Sequence, residues 1–134
     1  MKFFQIEEFD CQHTGNNEMN PDFLERLDNL RLVCGFPFII TSGYRDPSHP
    51  IEAKKSKPGT HAQGIACDIK ITDPNQRYLL INRAISMEFR GIGVASDFVH
   101  VDLDANPALS GLTNAIYQER KRNDYRCIYN CNYS

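Results

Sequence analysis

The stretch Gly59-Thr60-His61-Ala62-Gln63-Gly64-Ile65-Ala66-Cys67-Asp68 decides the fold together with a second one, Asp97-Phe98-Val99-His100-Val101-Asp102. The imidazoles of His61 and His100 and the carboxylate of Asp68 are groups that bind Zn²⁺ in proteins, and three such ligands leave a fourth coordination position open for water. Structural zinc sites usually fill all four positions. The two stretches therefore predict one catalytic Zn²⁺ site per chain, and the fold has to bring a loop and two strands to one point.

Candidate groups for the rest of the chemistry lie beside these ligands. Asp97 stands three residues before His100 and is the candidate general base, provided that a turn or bulge brings its side chain to the face of His100. Asp102 shares that face and is either a backup base or a partner that holds an imidazole. Arg45, in the turn Ser42-Gly43-Tyr44-Arg45, is suited to grip a carboxylate or stabilise an oxyanion, and Ser42 is a further candidate for a supporting or base role.

Spacing alone leaves a second interpretation open. The chain has 4 His and 17 acidic residues, so accidental trios of ligand types are common, and long ligand spacings are not diagnostic. Arg45 alone would also fit a solvated turn or a structural salt bridge. The other two histidines, His13 and His49, stand in polar loops and are expected to be exposed.

Length and composition indicate one globular domain over residues 1–134. Hydrophobic residues make up 41% and charged residues 24%, and a net charge of −2 gives no reason to expect nucleic acid or an anionic membrane as a partner. No run approaches the ~20 apolar residues that a membrane span needs, and the N-terminus lacks the features of a signal peptide. We therefore expect a monomer that is made in a cytoplasm and reaches any external target only after release.

Two helices are predicted in the first two thirds of the chain. Asn20-Pro21 opens the first and Gly35 ends it. Its apolar residues recur at helical spacing: Phe23, Leu27, Leu30 and Val33. Asp73-Pro74 opens the second, over about residues 75–89. The face predicted to pack is lined by Tyr78, Ile81 and Ile85.

Strands interleave with these helices. They are predicted over residues 3–6, 37–41, 64–71, 91–94 and 98–103, the last two as a hairpin. Residues 110–122 are predicted to form a further helix, because Leu109, Leu112 and Ile116 have helical spacing. Residues 125–133, aromatic and Asn-rich, add an edge strand or pack over the sheet. The predicted class is α+β, a small mainly antiparallel sheet flanked by helices.

The five cysteines cannot all pair within the chain. Cys67 lies in an apolar run and is predicted to be a buried small hydrophobic residue. Cys127 and Cys131 are close in sequence and are candidates for a disulfide if the protein meets an oxidising medium. A zinc site at these two residues is the weaker interpretation, because only two thiols are present.

Taken in series, the stretch 42–45, the stretch 61–68 with Gly64 and Ala66, and the stretch 98–102 resemble the zinc D-Ala-D-Ala carboxypeptidase family. That family also contains L-alanyl-D-glutamate endopeptidases, many of them phage endolysins. The resemblance is strongest over residues 20–103, and residues 104–134 form a divergent C-terminal extension. It implies a zinc site at the face of the sheet, as in this family and the hedgehog signalling domain.

The resemblance also implies roles and a substrate. His61, Asp68 and His100 would bind Zn²⁺. Arg45 would bind the substrate carboxylate or the developing oxyanion, and the position of the catalytic acid in the endolysin branch falls on Asp97. The implied reaction is zinc-dependent hydrolysis of a peptide bond in the stem peptide of bacterial peptidoglycan. The protein would act on the cell wall as a phage-type lysin after release, or as part of a virion.

The sequence is also compatible with a second function. Some relatives with the same zinc cage use the ion for stability or binding. Here such a module would bind wall peptide or a partner without hydrolysis, as a virion or tail component.

Overall fold

The computed structural model describes residues 1–104, 115–121 and 124–129; in the last two ranges, side chains are described for residues 116–120 and 126. Eight elements follow one another in the described ranges: α1 (Pro21–Cys34), β1 (Ile40–Ser42), β2 (Ala66–Lys70), α2 (Pro74–Ser86), β3 (Gly91–Val94), β4 (Phe98–Asp102), β5 (Ala115–Lys121) and β6 (Asp124–Tyr129). Short 3₁₀ helices cover Ile6–Phe9 and Glu52–Lys54.

All the described strands belong to one sheet in the order β1-β2-β4-β3-β5-β6. Neighbouring strands are antiparallel except β3 and β5, which are parallel. The fold is therefore α+β with a mainly antiparallel sheet, and the β3–β4 hairpin is confirmed. Neither described helix is long and apolar enough to cross a membrane.

The two faces of the sheet differ in chemistry. On β2 and β4, the positions that face the helices are apolar and fully buried in the common core: Cys67, Ile69, Val99 and Val101. Asp68, His100 and Asp102 alternate with them and therefore point to the other face. The core side holds the strands in place, and the opposite face carries the polar groups. Cys67 is buried as predicted.

Helix α1 begins and ends where the sequence predicts. The Asn20 side chain accepts hydrogen bonds from the N–H groups of Asp22 and Phe23 at 2.8 and 3.2 Å. Gly35 ends the helix in the left-handed conformation, with φ 76°. The prediction was wrong for one residue of the apolar face, because Val33 is 48% exposed. Cys34 is buried instead, since it continues the same face of the helix, seven residues after Leu27 and four after Leu30.

Helix α2 is confirmed, but its predicted packing face was wrong at two of three residues: Ile81 packs against the core, whereas Tyr78 and Ile85 do not. Tyr78 is 72% exposed, and Ile85 is also exposed, whereas Leu80 and Ala84 are fully buried. The rotation of the helix has a polar cause. Arg77, one turn before Leu80, donates to the carbonyls of Ala95 at 2.6 Å and Ser96 at 2.8 Å in the β3–β4 turn. A helix tied at Arg77 presents Leu80 and Ala84, not Tyr78, to the core.

The predicted strand over residues 3–6 is also wrong. The N–H groups of Lys2 and Phe3 donate to the carboxylate of Asp28 on α1, at 2.8 and 2.9 Å, and are therefore not available for a strand ladder. The chain then turns through the 3₁₀ helix Ile6–Phe9. The strand predicted over residues 37–41 is shorter and shifted: it begins at Ile40 and ends at Ser42.

The helix predicted over residues 110–122 is wrong in the described part, where Ala115–Lys121 forms β5. β5 pairs with the outer edge of β3 and so satisfies backbone groups that an edge strand would leave free. Leu109 and Leu112, which suggested the helix, lie outside the described residues. β6 forms the predicted edge strand and includes Cys127, while Cys131 and any bond between the two cysteines lie outside the described residues.

Gly64 positions the loop that leads into β2. It has φ 74°, and its carbonyl accepts a bond of 2.9 Å from the N–H of Asn20 at the start of α1. A methyl group at Gly64 would collide with the carbonyl oxygen of Glu18 and with the backbone of Met19. The loop can therefore approach α1 this closely only because residue 64 has no side chain.

Replacing Gly64 by Ala should lower the free energy of unfolding by about 2–4 kcal/mol, because backbone strain and a backbone collision add. Gly15→Ala is the matched control: Gly15 has φ 78° but open space around it, so only the strain of about 1 kcal/mol is expected. Denaturant unfolding with a chelator present measures both. Equal losses for the two variants would contradict the packing role of Gly64.

Candidate metal centre

His61 lies within a single backbone turn before β2. The N–H of Gln63 donates to the carbonyl of Gly59 at 3.0 Å, and the N–H of Gly64 donates to the carbonyl of His61 at 3.2 Å. The His61 carbonyl also accepts a bond from the N–H of Arg45 at 3.3 Å. The backbone of His61 is thus held from two sides, and its side chain is buried.

Strand register brings the other two candidate ligands together. Asp68 on β2 is directly opposite His100 on β4. Directly opposed residues share a face and have Cβ atoms about 5 Å apart. The opposed pairs on the core face, such as Ile69 with Val99, hold this register, because a slip by one residue would turn the carboxylate into the core.

The three side chains converge on one point. His61 Nε2 lies 3.2 Å from His100 Nδ1 and 3.3 Å from Asp68 Oδ1, and His100 Nδ1 lies 3.0 Å from Asp68 Oδ1. These atoms could hold a metal ion. Zinc–ligand distances of about 2.0–2.1 Å in a tetrahedron place neighbouring donors about 3.3 Å apart. The triangle therefore fits three corners of a zinc tetrahedron, and the fourth corner is left for another ligand.

Each imidazole is held by a partner on its outer nitrogen. His61 Nδ1 lies 2.8 Å from the carbonyl oxygen of Gly43, an acceptor, and so carries the proton. His100 Nε2 lies 2.8 Å from Asp102 Oδ2 and donates to that carboxylate. In both rings the nitrogen that faces the cluster is then free to coordinate a metal once it has no proton. Such outer partners fix the tautomer and orientation of metal-binding histidines.

A glycine makes room for the carboxylate of Asp102. Gly91 is opposite Asp102 in the β3–β4 pair. A Cβ at Gly91 would overlap the carboxylate of Asp102. The absence of a side chain at Gly91 leaves room for the carboxylate that bonds to His100.

Arg45 and Ser42 lie at the edge of the cluster. An Arg45 guanidinium nitrogen is 3.6 Å from Asp68 Oδ2, and its side chain is 15% exposed. Arg45 Nε donates to Ser42 Oγ at 3.3 Å. The guanidinium thus has one side fixed by the protein and part of its surface open to a ligand. Ser42 contacts Arg45, a supporting position for the cluster.

The two candidate bases are placed differently. Asp97 lies in the exposed turn between β3 and β4, and its carbonyl accepts a bond from the N–H of Ile71 at 2.9 Å. In the part of the chain that the structure describes, no hydrogen bond or ion pair joins the Asp97 side chain to the cluster. Asp102 is buried and bonded to His100 on the side away from the other ligands. The role of base remains a prediction for either residue.

When no ion is bound, a proton on His100 and the Arg45 guanidinium balance the two carboxylates of the cluster. Burial raises the pKa of Asp68, but hydrogen bonds with His100 and His61 outweigh it and hold this pKa well below its usual range. Burial also lowers the pKa of His100, yet hydrogen bonds to Asp102 and Asp68 outweigh it and raise the pKa to about 10. Burial is the main reason that the pKa of His61 is lowered. The metal-free cluster at neutral pH thus holds a neutral His61 and a protonated His100 between two carboxylates.

Three residues at or near the metal centre could not be predicted from the sequence: Gly43, Gly91 and Glu52. The carbonyl of Gly43 has no sequence signal beyond its place beside Arg45, and Gly91 becomes informative only when its strand partner is known. Glu52, a buried acid in the loop before His61, also gave no signal. His13 is exposed as predicted, whereas His49 is half-buried and its Nδ1 accepts a bond from the N–H of Ile51 at 3.1 Å.

The metal-free protein should lose stability as pH rises from about 6.5 to about 10. The pKa of His100 is raised to about 10 in the folded chain, so the folded state binds more protons than the unfolded state in this window. His100→Gln lacks this proton, and its difference in free energy of unfolding from the native chain should shrink as pH rises. Denaturant unfolding with a chelator, at several pH values, measures it. A difference that stays constant from pH 6.5 to 10 would refute the assignment.

Comparison with known families agrees with this geometry. The family model described as Peptidase M15 matches residues 2–102, a range that contains all three candidate ligands and ends at the last residue of β4. A search among curated proteins finds no match to the chain. Peptidases of this family are zinc-dependent, and the cluster of His61, Asp68 and His100 fits such an ion. The match covers most of the chain, and the protein therefore belongs to the peptidase M15 family, a family of metallopeptidases.

Proposed function

We propose that this protein is a zinc peptidase that hydrolyses a peptide bond in the stem peptide of bacterial peptidoglycan. The observation that carries the proposal is the triangle of donor atoms with sides of 3.0, 3.2 and 3.3 Å, built from two imidazoles and one carboxylate. When bound, Zn²⁺ supplies a Lewis acid that polarises a carbonyl and lowers the pKa of water. One ion per chain is expected at this cluster.

The protein's own residues orient the reactants in this proposal. Arg45 is anchored through Ser42 and Asp68, and its remaining N–H groups can hold a substrate carboxylate or the oxyanion that forms at the scissile carbonyl. Asp102 and the Gly43 carbonyl keep the two imidazoles in the required orientation. A carboxylate then accepts the proton of the attacking water and returns it to the leaving amine.

Asp97 is the residue that we propose for this proton transfer. Its support is the position three residues before His100, which matches the endolysin branch of the resemblance. Its exposed turn lies at the start of β4, so movement of the turn on substrate binding has to bring the carboxylate to the cluster. Asp102 is the competing residue, and its existing bond to His100 favours a supporting role.

The substrate class rests on the resemblance to D-Ala-D-Ala carboxypeptidases and L-alanyl-D-glutamate endopeptidases. Stem peptides offer carboxylates near amide bonds, and Arg45 is suited to such a group. We propose a phage-type lysin that is made in the host cytoplasm and acts on the wall after release, or a virion-associated form of it, in either case as a monomer.

A non-catalytic, zinc-stabilised binding module is the second candidate. One observation favours it: in the described residues, neither Asp97 nor Asp102 offers the cluster a carboxylate that is both near and unengaged. Such a module would bind zinc and wall peptide without releasing new amines.

The first test measures zinc and hydrolysis in the same preparations. The native chain should hold about one zinc and release new free amines from purified peptidoglycan, and His61→Ala should lose both, because two ligands do not retain the ion. His13→Ala, at an exposed histidine outside the cluster, is the control. Zinc retention without any hydrolysis by the native chain would support the binding module. Mass spectrometry of the products separates release of a terminal residue from internal cleavage.

The second test assigns the base. Asp97→Asn should retain zinc and lose about 10²–10⁴-fold in kcat, as expected for removal of a general base. Asp102→Asn should instead weaken zinc binding by about 10–100-fold, because the outer partner of His100 is lost. Native turnover by Asp97→Asn, combined with loss of turnover at full zinc occupancy in Asp102→Asn, would transfer the base role to Asp102.

A further inference from the structure

Glu52 is a buried carboxylate that the proposed reaction does not use. Only 1% of its side-chain surface is exposed, although the loop of residues 47–60 around it is mostly open to solvent. Burying a charge is costly unless it is paired and hydrogen-bonded. A buried charge at Glu52 therefore needs partners, and two groups of the same loop supply them.

The first partner is Lys55, which directly follows the 3₁₀ helix Glu52–Lys54. Its ammonium lies 2.9 Å from Glu52 Oε1, and the Lys55 side chain is 41% exposed, so the lysine lies between the carboxylate and the solvent. The second partner is the backbone N–H of Gly59, which donates to Glu52 Oε2 at 3.1 Å. Burial raises the pKa of Glu52, but the bonds from Lys55 and Gly59 outweigh it, so that the side chain stays charged.

Gly59 links this carboxylate to the candidate metal centre. Its carbonyl accepts the bond from the Gln63 N–H that closes the turn around His61, at 3.0 Å. The peptide groups of Gly59 are thus bound to Glu52 on one side and to the His61 turn on the other. A Cβ at Gly59 would lie 2.6 Å from Lys55 Nζ and 3.2 and 3.3 Å from the two carboxylate oxygens of Glu52, so any side chain there pushes against this ion pair.

We propose that Glu52 is a positioning residue for the metal centre: through the N–H of Gly59 it holds the turn that aims His61 at Asp68 and His100. This inference rests on the proposed zinc site and deepens it. Glu52 contacts neither the ligands nor the reacting atoms, so it acts only through the backbone. Its loss should therefore loosen the metal site more than it unfolds the chain.

The test measures the zinc dissociation constant of the full-length protein by competition with a chromophoric chelator. Glu52→Ala should raise this constant about tenfold, at the lower end of the effect of outer partners that touch a ligand directly. Glu52→Gln should stay close to the native value, since its amide oxygen can still accept from the Gly59 N–H. Gly59→Ala should raise the constant without removing any charge. Glu25→Ala, at an exposed carboxylate on α1, is the control.

Thermal unfolding of the same variants with a chelator separates positioning from stability. A raised zinc dissociation constant in Glu52→Ala and Gly59→Ala, with Glu52→Gln near native, supports the proposal. Unchanged zinc affinity in folded Glu52→Ala or Gly59→Ala, or a Glu52→Gln variant as impaired as Glu52→Ala, overturns it. If Glu52→Ala does not fold, the comparison of Gly59→Ala with Glu52→Gln decides. A native chain without zinc overturns the proposed function as well, whereas native binding with unaffected variants overturns this inference alone.

Discussion

Asp68 and His100 face each other across the pairing of β2 with β4, and the candidate metal centre depends on that register. Apolar residues on the core face of the same strands, which are fully buried, hold it in place. A shift by one residue would exchange the two faces and separate the ligands. His61 is added to this pair from a loop, so the strands supply the rigid part of the site and the loop supplies the adjustable part.

Electrostatics then determines what the pair can hold. A buried carboxylate beside two imidazoles is stable only with a compensating positive charge. In the metal-free protein the Arg45 guanidinium and a proton on His100 supply it, and the bonds of His100 to Asp102 and Asp68 raise the pKa of this histidine to about 10. When His100 loses this proton, the nitrogen lone pairs of the two imidazoles and the carboxylate of Asp68 can together bind a divalent ion. The cost of assembling the cluster is offset by the core on the opposite face and by the outer bonds to Gly43 and Asp102.

The supports of the site come from segments that are distant in sequence. Gly43 follows β1, Gly64 packs on the start of α1, and Gly91 lies across the sheet from β2. Each allows a backbone or carboxylate group to approach closer than a larger residue would. They all lie within the residues matched by the family, whereas β5 and β6 extend the sheet beyond them.

The sequence by itself determined the class of fold, both helices of the first part of the chain, the β3–β4 hairpin and the three ligand types, because caps, glycines and alternating apolar residues act locally. It failed where a distant partner decided: Asp28 took the backbone donors of residues 2 and 3, Arg77 turned α2 toward Leu80, and the free edge of β3 drew residues 115–121 into a strand. Only the tertiary structure decided which nitrogen of each histidine faces the cluster, and that the turn leaves the Asp97 side chain exposed, with no hydrogen bond to the cluster among the described residues. These features depend on contacts between groups tens of residues apart, and neither spacing nor propensity records such contacts.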